Sequence, residues 1–147
     1  MSRKNSGVFD RAVRTSNTWL ADVAEVFGTD DRRFAHRVVR AWLHAIRDRL
    51  TVPEAVHFGA QLPELLRGVY YDGWNPTRTP VKYGPEEFVS RFAREAMISV
   101  ADVRWTAARI SLIMQAHLSP GQLDHALAQL PVWLRDIVGG VDLAAIR

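Results

Sequence analysis

Apolar residues recur along most of this chain every three or four positions, which is the period of an amphipathic helix. Phe9, Val13, Ser16, Leu20, Val23 and Phe27 fall on one stripe, and Gly28 behind it reads as a helix stop. Asp30 or Asp31 is placed to cap a second helix. In that helix Ala35, Val39, Trp42, Leu43, Ile46 and Leu50 line one face, widened by Phe34, Val38 and Ala45. A third helix opens at "TVPE". Thr51 and Glu54 form a capping-box pattern, with Pro53 in the first turn, where its missing N–H costs little. The second half repeats this plan. Pro85 opens a helix with Glu86 and Glu87 in its first turn, and Phe88, Phe92 and Ala96 point inward. Ser99, with Asp102 at the box position, caps a helix striped by Val100, Val103, Ala107, Ile110 and Met114. Finally "SPGQ" offers Ser119 as cap, Pro120 at the first helical position and Gln122 reaching back.

The two halves share more than a plan. Residues 50–67 align without a gap with residues 118–135. Leu50, His57, Ala60, Gln61, Leu62, Pro63, Leu66 and Arg67 meet identical residues at Leu118, His125, Ala128, Gln129, Leu130, Pro131, Leu134 and Arg135. The spacing predicts an all-α fold: two tandem pseudo-repeats of three to four helices packed as one helical bundle about a pseudo-two-fold axis. Within a single domain, 1–147, repeat 1 covers about 8–70, a linker 71–84, repeat 2 about 85–138 and a tail 139–147. Pro63 and Pro131 stand inside otherwise helical pattern. Proline removes a helical hydrogen bond and pushes the preceding residue out of the α region. Each third helix therefore ends near Ala60 or Ala128, and a short helix starts at the proline; a kink in one continuous helix is the alternative. Leu65, Leu66 and Val69 line the first short helix, and Trp133, Leu134 and Ile137 the second. Gln61 and Gln129 stand where backbone groups are freed, and Arg67 and Arg135 at the outer edge.

The linker "YYDGWNPTRTPVKYGP" holds turn signals at Asp72-Gly73 and Asn75-Pro76 and is longer than a usual connection. Its aromatic content argues against disorder. Tyr70, Tyr71, Trp74 and Tyr83 either staple the loop to the helices or form a binding hot spot.

Composition narrows the classes. A chain of 147 residues with 48% hydrophobic and 24% charged residues is long enough for one core without metal or disulfide. There is no cysteine, which removes disulfides, thiolate zinc sites and thiol nucleophiles. No run approaches a membrane span and the N-terminus lacks a signal-like apolar core, so the expected location is cytoplasmic, with no membrane partner. Lys4 and Lys82 are the only lysines among nineteen basic residues; arginine supplies the rest. The formal charge of +3 is too small to imply nucleic acid by itself.

Candidate chemistry is sparse. Glu54-x-x-His57 resembles half of a helical di-iron element, but the second copy reads Gln122-x-x-His125, and glutamine replaces a bridging carboxylate poorly. We assign no metal and no cofactor. His57 and His125 could meet in a pH-sensitive contact or simply donate to carbonyls. Neither a Gly-x-Ser-x-Gly elbow nor a phosphate-binding glycine loop is present, and no catalytic residue is assigned; a non-enzyme is expected. Arg33, Arg37, Arg40, His44 and Arg47 form one stripe opposite the apolar face of the second helix. That stripe suits a phosphate backbone, an acidic partner or plain solvation.

The stretch "LHAIRDRLTVPEAVHFGAQLPELLRGVYYDGWNP" resembles the signature of the bacterial family known as domain of unknown function 2267. The likeness runs over roughly residues 8–138. It implies a helical fold and a bacterial cytoplasmic origin, and carries no activity. The expected role is a non-catalytic helical protein-interaction module binding a protein partner or a second copy. Arg33, Arg37, Arg40, Arg47, Tyr71 and Trp74 are its partner-binding candidates. Gln61, Pro63, Arg67, Gln129, Pro131 and Arg135 are its structural motif. The alternative is a nucleic-acid or ribosome-associated protein using the arginine stripe.

Overall fold

A computed structural model of the protein describes residues 7–139. Among them the chain forms eight α-helices and no strand. These are α1 (Asp10–Val26), α2 (Arg32–Arg47), α3 (Val52–Gly59), α4 (Glu64–Tyr71), α5 (Pro85–Ala96), α6 (Val103–His117), α7 (Gln122–Leu127) and α8 (Val132–Val138). Single 3-10 turns lie at Pro76–Arg78 and Val100–Asp102. The all-α bundle follows the periodicity. The part of the tail beyond residue 139 lies outside the described residues.

Helix α2 is the hub, packing on α1, α4, α5 and α6. It can do so because small and large apolar side chains nearly encircle it: Ala35, Val38, Trp42, Leu43 and Ile46 are all buried. Asp31 starts it, accepting the Arg33 and Phe34 N–H groups. The Trp42 indole N–H is carried into this centre, where it donates to Ser111 Oγ on α6 at 2.9 Å. Ser111 in turn bonds the Val138 carbonyl, so one hydroxyl ties α2, α6 and the end of α8 together.

Helix α1 ends as Gly28 predicts. Gly28 has φ +70°, its N–H bonds the Glu25 carbonyl and the next N–H bonds Ala24. That pair of bonds closes the last turn and needs a residue at ease in the left-handed region. The predicted stripe is shifted, however. Ser16, Trp19 and Val23 are buried, whereas Phe9 is 65% exposed and Val13 also faces out. The first turns of α1 leave these two apolar side chains uncovered.

The two prolines make corners and not kinks. Pro63 (φ −61°, ψ 155°) and Pro131 (φ −57°, ψ 151°) each precede a new helix, and the chain between Ala60 and Leu62, or Ala128 and Leu130, is turn. The backbone bonds match as well: Leu62 N–H to Gly59 and Leu130 N–H to Leu127. Helices α3 and α7, which lead into the corners, pack on each other.

Other details differ from expectation. Arg67, not Gln61, takes the freed carbonyls: its Nε and Nη2 donate to Gly59 at 3.1 Å and Leu62 at 2.8 Å. Leu65 faces solvent, because the buried face of α4 runs through Leu66 and Tyr70, four residues apart. Tyr70 donates its hydroxyl to the Ala55 carbonyl at 2.7 Å, and Tyr71 packs over Gly59 so closely that no Cβ fits there.

The second half departs most at its caps. Ser99 bonds the Ala101 N–H and so caps a 3-10 turn, leaving Val100 58% exposed and off the α6 stripe. Ser119 does not cap α7 through its side chain. Gly121 adopts φ +84° behind Pro120, the Gln122 N–H returns to the Ser119 carbonyl, and the helix begins only at Gln122. Pro-Gly is the sequence of a tight turn with φ > 0 at its third residue, and that preference wins over the serine cap.

Replacing Pro63 by Ala loosens the unfolded chain at a position whose φ the proline already suits. We expect a loss of about 0.4–1 kcal/mol in urea unfolding. An equally or more stable variant would show that the corner is held by packing alone.

Candidate functional site

The C-terminal end of α2 runs straight into the linker face. At this end a charged side chain is carried inside. Arg47 is 5% exposed. Its Nε donates to Asp48 Oδ1 at 2.8 Å, and its Nη1 donates to the Tyr70 and Asp72 carbonyls at 2.9 and 2.8 Å. Those carbonyls belong to the end of α4, so Arg47 clamps the start of the linker and satisfies groups a helix end leaves open.

The far end of the linker is held by the next two residues of the same segment. Val81 donates its N–H to the Asp48 carbonyl at 2.6 Å and accepts from Arg49 Nη1 at 2.6 Å. Residues 47–49 thus pin both ends of the arc that carries Gly73 to Lys82.

Under and beside this arc lie two adjoining clefts. One, of about 180 Å³, is lined by His44, Arg47, Asp48, Tyr83, Arg91 and Glu95 among others. The other, of about 660 Å³, is lined by Arg47, Asp48, Arg78, Lys82 and Arg91 with linker residues Gly73, Asn75 and Thr79 to Val81.

The expected arginine stripe does not survive as an open row. Arg33 is exposed, but Arg37 is half-buried and donates to the Ala96 carbonyl at 3.2 Å. Arg40 pairs with Asp72 at 2.8 Å and Glu95 at 3.1 Å. His44 is buried, with Nε2 2.8 Å from the Val69 carbonyl and Nδ1 2.5 Å from Glu95. From Arg37 onward the stripe faces α5 and the linker rather than water, because α2 is packed on both flanks.

The linker aromatics also divide. Tyr71 and Trp74 are half-buried against the core with ring centres 5.3 Å apart, and the Trp74 indole N–H is buried without a partner among the described residues. Tyr83 sits differently. The guanidinium of Arg91 lies 4.9 Å above its ring and that of Arg49 5.4 Å. Burial, then the nearby Asp48 carboxylate, pushes the Tyr83 phenol up to about 12, against the pull of Arg91 and Arg49. Burial likewise raises Tyr70. On the exposed edge, the Arg40 hydrogen bond holds Asp72 below the usual carboxylate range.

The family model for "Uncharacterized conserved protein (DUF2267)" matches residues 16–137. The chain belongs to that family. The matched span holds every clamp and cleft described above. No curated protein matches the chain.

In this DUF2267 chain the histidine pair of α3 and α7 does meet. The His57 and His125 rings lie 5.0 Å apart, and His125 Nε2 is 2.9 Å from Glu54 Oε1. Glu54 therefore engages the other helix rather than forming an Glu-x-x-His pair within its own. Among the described residues no group of three His, Asp or Glu side chains could hold a metal ion. No helix there is long and apolar enough to cross a membrane.

Asp48, Arg49, Arg78, Lys82 and Arg91 did not stand out in the sequence. Arg78 and Lys82 lie in a loop noticed for its rings. The role of Asp48 and Arg49 depends on a contact made across the fold with residue 81.

Three outcomes test this geometry. Arg47→Met strands Asp48 and two carbonyls, and we expect it to cost about 3 kcal/mol in urea unfolding. Arg33→Met should change stability by less than about 0.5 kcal/mol. In alkali, the unfolded phenol of Tyr83 loses its proton near 10 while the folded one keeps it to about 12. Stability should fall as pH rises through that window, and Tyr83→Phe should flatten the fall in denaturation curves taken across it.

Proposed function

We propose that this protein is a non-catalytic helical module that binds a protein partner through its linker face. The observation that carries the reading is the anchored arc. The linker is long, irregular and exposed at its tip, yet both of its ends are tied to residues 47–49 by short hydrogen bonds. A rigidly held loop over open clefts suits recognition, since its ordering is complete before a partner arrives.

The partner is a different protein and not a second copy. A two-fold contact sets a patch against itself. The arc and its clefts present Arg78, Lys82 and Arg91, so an isologous contact through them would face like charges together.

Lysine-directed crosslinking tests the reading well, because Lys82 lies on the arc and Lys4 is the only other lysine. Immobilised protein incubated with lysate of its source organism should retain a defined protein crosslinked through Lys82. Capture of nothing reproducible, or crosslinks through Lys4 alone, would overturn it. Capture abolished by nuclease would return the nucleic-acid reading.

A further inference from the structure

The two adjoining clefts share Arg47, Asp48 and Arg91, so they form one groove between α2, α5 and the linker arc. Its charges do not cancel. The acids on its walls are already matched: Asp48 faces Arg47 at 2.8 Å, and Glu95 faces both Arg40 and His44. Arg78 and Lys82 are exposed and form no ion pair among the described residues, all of whose pairs lie elsewhere. Arg91 has only Glu87, at a loose 3.8 Å and largely exposed. Three cations thus line or rim a groove with no free acid of its own.

Two arginines beside the groove are also oriented. Arg91 and Arg49 stack on Tyr83, and Arg49 lies 6.0 Å over Trp133 as well. A guanidinium with its face covered presents its N–H edge, which matches the two oxygens of a carboxylate. Arg49 gives Nη1 to Val81 and its Nε is buried, so Arg91 is the ring-packed group left to read a ligand.

We propose that this groove binds an acidic segment of the partner, its carboxylates paired with Arg78, Lys82 and Arg91. The proposal rests on the linker-face reading and names the chemistry of what that face takes. A nucleic acid is the poorer fit. Tracking a phosphate backbone uses a row of free cations, and the α2 row that would extend the groove is spent on Asp72, Glu95 and backbone carbonyls.

Fluorescence anisotropy with a labelled oligoglutamate peptide tests this on the full chain. An oligoglutamine peptide is the neutral control and a single-stranded oligonucleotide the competitor. Oligoglutamate should bind, more weakly as salt rises, and oligoglutamine should not. The surface variant Arg78→Glu/Lys82→Glu should weaken binding about tenfold or more, as loss of rim charge predicts. Arg91→Gln should weaken it too. Arg11→Glu/Arg14→Glu, the same charge change on exposed positions of α1, should leave it nearly unchanged.

Absence of oligoglutamate binding, or equal loss in the α1 variant, would overturn the acidic-segment assignment. So would an oligonucleotide that binds more tightly and loses affinity in the same groove variant. A partner still crosslinked through Lys82 in that case leaves the linker-face reading standing. Failure of both experiments removes both.

Discussion

Arg47 carries its charge inside at the end of the central helix, and the linker face is organised around that charge. Leaving water costs a guanidinium several kcal/mol unless its donors are all placed. Here one acceptor is the neighbouring Asp48 carboxylate and the others are carbonyls from residues 70 and 72. The buried charge and the end of α4 solve each other's problem, since a helix terminus has unpaired carbonyls and an arginine has only donors. Once that junction is set, the chain leaving α4 must start its arc here. Asp48 and Arg49 then receive it again at Val81.

The fold was legible to the extent that it depended on local rules. Helix ends followed glycine and proline chemistry: Gly28 closed α1, Asp31 opened α2, and Pro63 and Pro131 turned corners whose dihedral angles agree within a few degrees. Where two local rules competed, pattern reading chose wrongly. Ser119 looked like a cap, but the Pro-Gly turn after it took the backbone first. Val100 continued the apolar spacing of α6, but a 3-10 turn changed the period from 3.6 to three and swung it outward.

The site was legible as a region and not as a mechanism. Periodicity correctly places Arg33, Arg37, Arg40, His44 and Arg47 on one face of α2. It cannot say whether that face meets water. The answer depends on α5 and the linker, which are remote in sequence and supply Glu95, Ala96 and Asp72 as partners. A stripe of cations opposite an apolar face is solvated on a surface helix and internally paired on a central one. Helix α2 is central because it is apolar on nearly all its remaining sides, and that was visible in the width of its apolar face. The polar row should have been read together with that width.

The aromatic residues of the linker show why residue type alone does not fix a role. Tyr70 fills the core and bonds Ala55, Tyr71 closes over Gly59, and Trp74 packs beside it. These three hold the arc down. Tyr83 packs against Phe88 and Trp133 and takes two guanidinium groups against its ring. It therefore fixes the direction of positive charge at the mouth of the groove. An arginine in solution loses rotamer freedom when it binds a carboxylate, whereas one packed over a ring has already lost part of it. The groove's cations thus differ in kind: Arg78 and Lys82 are exposed charges suited to attracting a ligand, and Arg91 is an oriented fork suited to holding it. Attraction without orientation would favour any anion, so the discrimination of this surface depends most on the contact between Arg91 and Tyr83.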